Sequence, residues 1–281
     1  MKQTCIVVPI YKSFKKLSKE ELLSLNQLFG VLGKHDIFFI CAKSFEPLEY
    51  IQATKRINIS PVIKKFQDQY FSSIAGYNKM MLSLNFYRKF KAYNFMLIYQ
   101  LDAFVFRNDL DEWCKKNYDF IGAPWFEACD QNMHTNKIIG VGNGGFSLRK
   151  INSTIKLLMR YERLKLFRKL YMKSKLYYLI SFEKILYKLR FVFHISVFDQ
   201  AVKLFLFPKI NEDYFLTQCL GISFSDFDVA PYSEALKFSF EVNPTLLFSM
   251  NAENLPFGCH AWEKYEPEFW QQYISLTVRE Y

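Results

Sequence analysis

Cysteine pairing is the first thing this sequence lacks. None of Cys5, Cys41, Cys114, Cys129, Cys219 and Cys259 stands at CxxC spacing from another, which argues against a structural zinc site. Cys5 and Cys41 fall in apolar, strand-like runs and read as buried thiols. The chain also lacks an uncharged apolar run of about 18 residues, so no transmembrane helix is expected. Its start, MKQTCIVVPIYK, has an apolar stretch too short for a signal peptide, and no small-residue cleavage site follows. These features together predict a cytoplasmic compartment with reduced thiols. Internal repeats and low-complexity tracts are absent. No zinc finger, RNP-type aromatic motif or helix-turn-helix signature is present, so nucleic acid is not an expected partner.

What the chain has is apolar mass and positive charge. Its 281 residues are 51% hydrophobic and include 30 Phe and 18 Tyr, which excludes a disordered chain. The length suits a single domain, 1–281, with a sizeable core. Residues 4–10 read as a buried strand, and Ser18 with Glu21 forms a capping box that opens a helix closed by Gly30 or Gly33. Residues 36–42 read as a second strand, 57–63 as a short strand or loop, 73–92 as a helix and 95–106 as a strand. A short helix at 109–117 and a strand at 118–123 follow, and the region from 224 reads as short strands and turns ending in a helix at 266–277. Strands alternating with helices indicate a doubly wound parallel sheet.

Charge is concentrated in one segment. Between residues 149 and 190, thirteen Lys or Arg stand against Glu162 and Glu183, a net of +11 where the whole chain carries +10. Leu157, Tyr161, Leu164, Phe167 and Tyr171 recur there at helical spacing, with Arg160, Arg163, Arg168 and Lys169 between them. This reads as a basic amphipathic helical insert, 151–197. It is suited to an anionic membrane surface through 151–190, or equally to a solvated charged face.

Within the apolar run 95–106 a single carboxylate, Asp102, is expensive unless something pairs with it. In an open α/β sheet the strand end is where ligands collect. A strand-end Asp that caps a turn with Asn108 and Asp109 is the alternative. Strand alternation would put Gln100, Asp102 and Phe104 on one face. GNGGFSLRK at 142–150 holds three glycines in four residues and suits close approach of backbone to a ligand or a tight turn, with Arg149 or Lys150 near a phosphate or in solvent. Glu212 and Asp213 precede an apolar helix, where acids also complement the helix dipole. His35, His134 and His194 have no partner pattern and read as structural or surface residues.

VVPIY at 7–11, YQLDAFVF at 99–106, GNGGFSLRK at 142–150, NEDYFLTQCL at 211–220 and GCHAWEKY at 258–265, in this order and spacing, resemble the GT-A-fold glycosyltransferases. They resemble most a bacterial family of surface-polysaccharide glycosyltransferases. The resemblance implies a Rossmann-like, mixed, mostly parallel sheet flanked by helices, with the insert matching nothing in the family. It implies an inverting transfer from a nucleotide-diphosphate sugar to a surface glycan or a lipid-linked acceptor, at the inner face of the cell membrane. Asp213, with Glu212, would be the base. Pro9, Tyr11, Gln100, Asp102, Gly144 and Gly145 would meet the donor. Asp102 and His260 would hold a manganese or magnesium ion, although only one carboxylate of the DxD pattern is present. Trp125, with Pro124 and Phe126, and Trp262 would stack on an acceptor sugar. A non-catalytic basic binding module and a nucleotidyltransferase are the competing readings.

Overall fold

The computed structural model describes residues 2–127, 137–174, 181–191, 211–224 and 226–279. Cys129, His134, His194 and parts of the 151–197 insert lie outside the described residues. Strand β1 (Lys2–Pro9) leads to helix α1 (Lys19–Leu32), whose capping box is formed: the Glu21 N–H donates to Ser18 Oγ (3.1 Å), and the Ser18 N–H donates to Glu21 Oε2 (2.8 Å). Then come β2 (Asp36–Ala42), α2 (Leu48–Lys55), β3 (Val62–Phe66), α3 (Ile74–Met81), α4 (Leu84–Arg88), β4 (Tyr93–Tyr99) and β5 (Ala103–Val105). Helix α5 (Leu110–Lys115), β6 (Phe120–Ile121), the hairpin of β7 (Ala123–Phe126) and β8 (Ile138–Gly142), and β9 (Phe146–Lys150) follow. The basic segment forms α6 (Ile151–Lys173) and α7 (Phe182–Lys188). Helix α8 (Glu212–Tyr214) runs on as a π-helix, Phe215–Gly221. The chain ends with α9 (Tyr232–Phe238), β10 (Ser239–Phe240), α10 (Pro244–Met250), β11 (Gly258–His260) and α11 (Pro267–Arg279).

The main sheet has six strands in the order β3-β2-β1-β4-β9-β6. The β3, β2, β1 and β4 strands are parallel, whereas β9 runs antiparallel to both β4 and β6. The sheet is therefore mixed and mostly parallel, and the purely parallel sheet expected from strand–helix alternation gives way at β9. Strand β1 shows why its sequence has no polar alternation: Cys5 and Val7 join one apolar cluster, and Ile6 and Val8 join the other. A strand covered on both faces is apolar throughout. Helix α1 covers the second face through Leu25, Leu28 and Leu32. Helices α3, α4 and α6 cover the first through Met80, Phe86, Leu157 and Leu158. Each such fully buried aliphatic side chain contributes about 1.5–3 kcal/mol.

The run 95–106 is two strands, not one. Strand β4 leaves the main sheet at Tyr99, the Gln100 N–H donates to the Gly145 carbonyl (2.8 Å), and the Ala103 N–H closes a turn on the Gln100 carbonyl (2.9 Å). Strand β5 then pairs with β11 in a second sheet of order β10-β11-β5. Gln100 and Asp102 therefore sit in the turn between two sheets. Phe104 does not share their face but is fully buried in a third apolar cluster with Phe240, Trp262 and Trp270. The helix expected over 73–92 divides in two because Ser83 is extended. Helix α2 escapes periodicity because only Tyr50 and Thr54 of it are buried. Helices α9 and α10 replace two of the expected strands and turns.

Candidate active site

With strands ordered 3-2-1-4, the crevice where the sheet reverses direction lies between the carboxyl ends of β1 and β4. Pro9 ends β1, and the exposed Tyr11 follows it. Tyr11 is close enough to Asp102 to feel its charge, although burial and Glu21 do more to raise the phenol above its ordinary pKa. Of the donor-site residues expected from sequence, Pro9 and Tyr11 thus lie at the end of β1, and Gln100 and Asp102 just beyond the end of β4.

His260, at the end of β11, is the centre of the polar cluster. Its Nε2 lies 3.1 Å from Asp102 Oδ1 and 3.3 Å from Gln100 Oε1, and its Nδ1 lies 3.0 Å from Glu241 Oε1. Burial alone would lower the imidazole pKa, but Asp102 and Glu241 outweigh it and raise it to about 10. Burial pushes the Asp102 carboxyl up, and His260 overcomes that and holds it below its ordinary value. Among the described residues no three His, Cys, Asp or Glu side chains form a metal cage. A divalent cation held partly by a ligand would find the Asp102 carboxylate, whose side chain is 44% exposed, and the Gln100 amide oxygen here, and His260 would have to give up its Nε2 proton before it could add a nitrogen. Magnesium accepts few protein ligands beside substrate phosphates, and an imidazole suits manganese. Glu241 would orient the ring from its far side.

The GNGG turn is the wall of this cluster. None of the described glycines has a positive φ; the left-handed residue is Asn143, at φ 86°. The glycines serve close approach instead. A Cβ at Gly145 would stand 1.8 Å from His260 Nε2, and one at Gly144 would stand 2.5 Å from Glu212 Oε1. Asn143 is buried and organises the turn: its Oδ1 accepts from the Gly145 and Phe146 N–H groups (3.1 and 3.0 Å), and its own N–H donates to Asp213 Oδ2 (2.7 Å).

Glu212 and Asp213 are both buried, so neither is a solvated dipole complement. Arg149, fully buried on β9, grips Glu212 through Nη2 to Oε1 (2.8 Å) and Nη1 to Oε2 (3.0 Å), and also donates to the Tyr87 hydroxyl (2.9 Å). Arg149 is thus a buried ion-pair partner, neither a phosphate arm nor a solvated residue. Desolvation, then the Glu212 and Glu241 charges, push Asp213 up to about 6, against the Tyr214 and Asn143 N–H groups. A carboxyl poised near neutrality is equipped to take a proton.

Trp125 packs against Tyr214, with ring centroids 5.4 Å apart and planes tilted by 37°, and is half-buried next to Gly142. Trp262 is 6% exposed and meets Phe104 edge-on, so little of its ring remains for a sugar. Sequence reasoning missed Glu241 and the partner roles of Asn143 and Arg149. Only Asn143 carried a local signal, as the one non-glycine in a glycine turn. A groove of about 960 Å³ beside α3, α4 and α6 shares only Asn211 with the end of α8.

No curated protein sequence matches the chain. Among solved structures it is similar to the glycosyltransferase GlyE of Streptococcus pneumoniae TIGR4, at 10% identity and TM-score 0.50, and to the apo form of that protein, at 13% and 0.49. All of this chain is covered in both, and it spans 63% of the length of each GlyE chain. Mouse xyloside xylosyltransferase 1 matches at 9% identity and TM-score 0.48, over 92% of this chain and 97% of that one. The fold is GT-A-like, a mixed α/β architecture flanked by helices. A family model matches residues 61–260, which is most of the chain, and so the chain belongs to the family described as a protein of unknown function, DUF5672.

Proposed function

We propose that the protein is a glycosyltransferase that moves a sugar, with inversion, from a nucleotide-diphosphate donor to a surface-type glycan or lipid-linked acceptor. One observation carries the reading. Asp213, raised toward neutrality, and the Asp102–His260 cluster meet opposite sides of the same GNGG turn. A base and a diphosphate-binding pole on either side of one glycine turn are what displacement at an anomeric carbon needs.

In this mechanism Tyr11 and Pro9 flank the nucleoside. Gly144 and Gly145 let the donor approach the backbone. Asp102 and His260, with Gln100, hold the diphosphate end, where a divalent cation would neutralise the charge that grows on the leaving group. Asp213 accepts the proton of the acceptor hydroxyl as the oxocarbenium-like centre acidifies it. Glu212 does not share that task, because Arg149 holds both its oxygens. Trp125, beside Tyr214, is the better placed of the two tryptophans to stack on the acceptor.

The basic helices support the lipid-linked acceptor. Leu166 and Leu170 are 57% and 59% exposed on α6. By helical spacing they share a face with the exposed Arg163, Lys169 and Lys173. Helix α7 adds exposed Tyr187, Lys184 and Lys188, and packs on α6 through Phe182 and Tyr171 (5.4 Å). Apolar residues among cations, with Glu162 as the one acid of that face of α6, suit the surface of an anionic bilayer. Among the described residues no helix is long and apolar enough to cross one. The expected location is the cytoplasmic face of the cell membrane.

The test is turnover of a panel of nucleotide sugars with manganese or magnesium. Release of nucleoside diphosphate is expected, with Asp213→Asn slowing it about 10²- to 10⁴-fold and Asp102→Ala weakening donor use. Unchanged turnover in both variants would refute the proposal. Release of inorganic diphosphate would replace it with nucleotidyl transfer.

A further inference from the structure

The groove of about 960 Å³ between α3, α4 and α6 shares no residue with the cluster around His260. Its volume falls in the range of about 300–1,000 Å³ typical of ligand sites. Three cations line it, Lys79 on α3, Arg88 at the end of α4 and Lys165 on α6, against one acid, Glu162. Glu162 is held by Lys165 (2.8 Å). The side chains of Lys79 and Arg88 have no hydrogen bond or ion pair among the described residues.

The same groove presents apolar surface. Ile74, in the first turn of α3, is 77% exposed, and Leu82 and Leu84, on either side of the extended Ser83, are half-buried. Tyr161 forms part of the α6 wall, with its ring edge-on to Phe215 at 4.9 Å. Asn211 also lines the groove; it precedes Asp213 by two residues, and its side chain makes no cap bond to α8. Along α6, Leu166 follows Glu162 and Lys169 follows Lys165 by four residues, so the groove borders the face that carries Leu166 and Leu170.

Unpaired cations beside uncovered apolar side chains match an anion that carries a hydrocarbon chain. A phosphate would satisfy Lys79 and Arg88 with charge-assisted bonds. A hydrocarbon chain would cover Ile74, Leu82 and Leu84, which a wholly polar ligand would leave in water. We infer that this groove binds the phosphate and adjoining chain of a lipid-phosphate acceptor, with the phosphate on Lys79 and Arg88. The chain would leave toward the Leu166 and Leu170 face of α6, and a sugar borne by the phosphate would lie on the Asn211 side, toward Asp213. This rests on the proposed glycosyltransferase reading and names the chemistry of its acceptor.

The test is calorimetric titration of the full chain, without donor, with three probes: farnesyl phosphate, farnesol and inorganic phosphate. Wild type should bind farnesyl phosphate at least about tenfold more tightly than either of the others. Lys79→Gln combined with Arg88→Gln should weaken that binding about tenfold or more, and should melt at the wild-type temperature, since neither side chain has a partner to lose. Lys55→Gln combined with Arg56→Gln removes the same charge from the exposed end of α2 and should bind as wild type does. A wild type that takes farnesol or inorganic phosphate as tightly as farnesyl phosphate would overturn the inference, as would wild-type affinity in the Lys79 and Arg88 variant. Equal losses in the two double variants would overturn it in favour of general charge attraction. A wild type that binds farnesyl phosphate through Lys79 and Arg88 but turns over no nucleotide sugar would overturn the glycosyltransferase reading and uphold the lipid-phosphate site.

Discussion

Asp213 shows how a single side chain is set against the stability of the fold that holds it. Its carboxyl is buried between Glu212 and Glu241, and its pKa rises to about 6 from an ordinary value near 3.8. The folded state therefore binds this proton more tightly than the unfolded chain does. Its contribution to stability is greatest below about pH 4 and is lost as pH rises through about 6. Asp213→Asn should retain the Asn143 contact, since an amide oxygen can also accept that N–H. It should unfold at a higher denaturant concentration than wild type at pH 8, by on the order of 3 kcal/mol, and the two curves should converge at pH 4. A variant equal to wild type at both pH values would show that the carboxyl is not destabilised by its surroundings. As candidates, Asp102 was legible in the sequence as a charge in an apolar run, and Asp213 and His260 only through the GT-A resemblance. Glu241 was not, because it reaches the site only through a parallel pairing of two short strands.

The element that ties the site together is the β8–turn–β9 segment. It carries the left-handed Asn143, the two close-approach glycines and, four residues after Gly145, the buried Arg149. The Arg149–Glu212 pair fixes the start of α8 and so the direction of Asp213. Removing one partner of a buried pair leaves the other charge uncompensated, at a cost of about 3–5 kcal/mol. Arg149→Met should destabilise by that amount in denaturant titrations. The double variant Arg149→Met with Glu212→Leu should recover much of the stability, because apolar residues of similar volume often substitute well for such a pair. Sugar transfer should stay low in both, since Asp213 loses its neighbour. Full activity in the double variant would confine the pair to a packing role. The sequence made β1, α1 and β2 legible through period and caps. It hid the break after Tyr99, because the apolar run continues while the hydrogen-bonding partner changes from one sheet to another. That change is set by β11, more than 150 residues downstream, and no local pattern reports it.

At the scale of the whole molecule the charge is lopsided: 149–190 carries +11 and the remainder is close to neutral. Strand–helix alternation made the α/β class legible, whereas antiparallel β9 and the second sheet depend on contacts distant in sequence. The surface reading of α6 gives a direct expectation. Leu166→Asp combined with Leu170→Asp should abolish co-sedimentation with phosphatidylglycerol-containing vesicles, leave the protein unbound to phosphatidylcholine vesicles as before, and preserve transfer to a water-soluble acceptor. Undiminished sedimentation of the double variant would remove the bilayer from the account.

Helix α6 starts directly from strand β9, with Lys150 as its first cap and no intervening loop. Sixteen residues of helix at about 1.5 Å each place Leu166 about 24 Å along the axis from that junction. The helix is thus a measuring rod fixed at one end to the strand that bears Arg149. With Leu166 anchored in lipid headgroups, the junction can stand no further from them than the rod is long. Under the proposed function that reach would be gauged in sugar units above the bilayer, and inserting one helical turn ahead of Leu166 would raise the limit by about 5 Å.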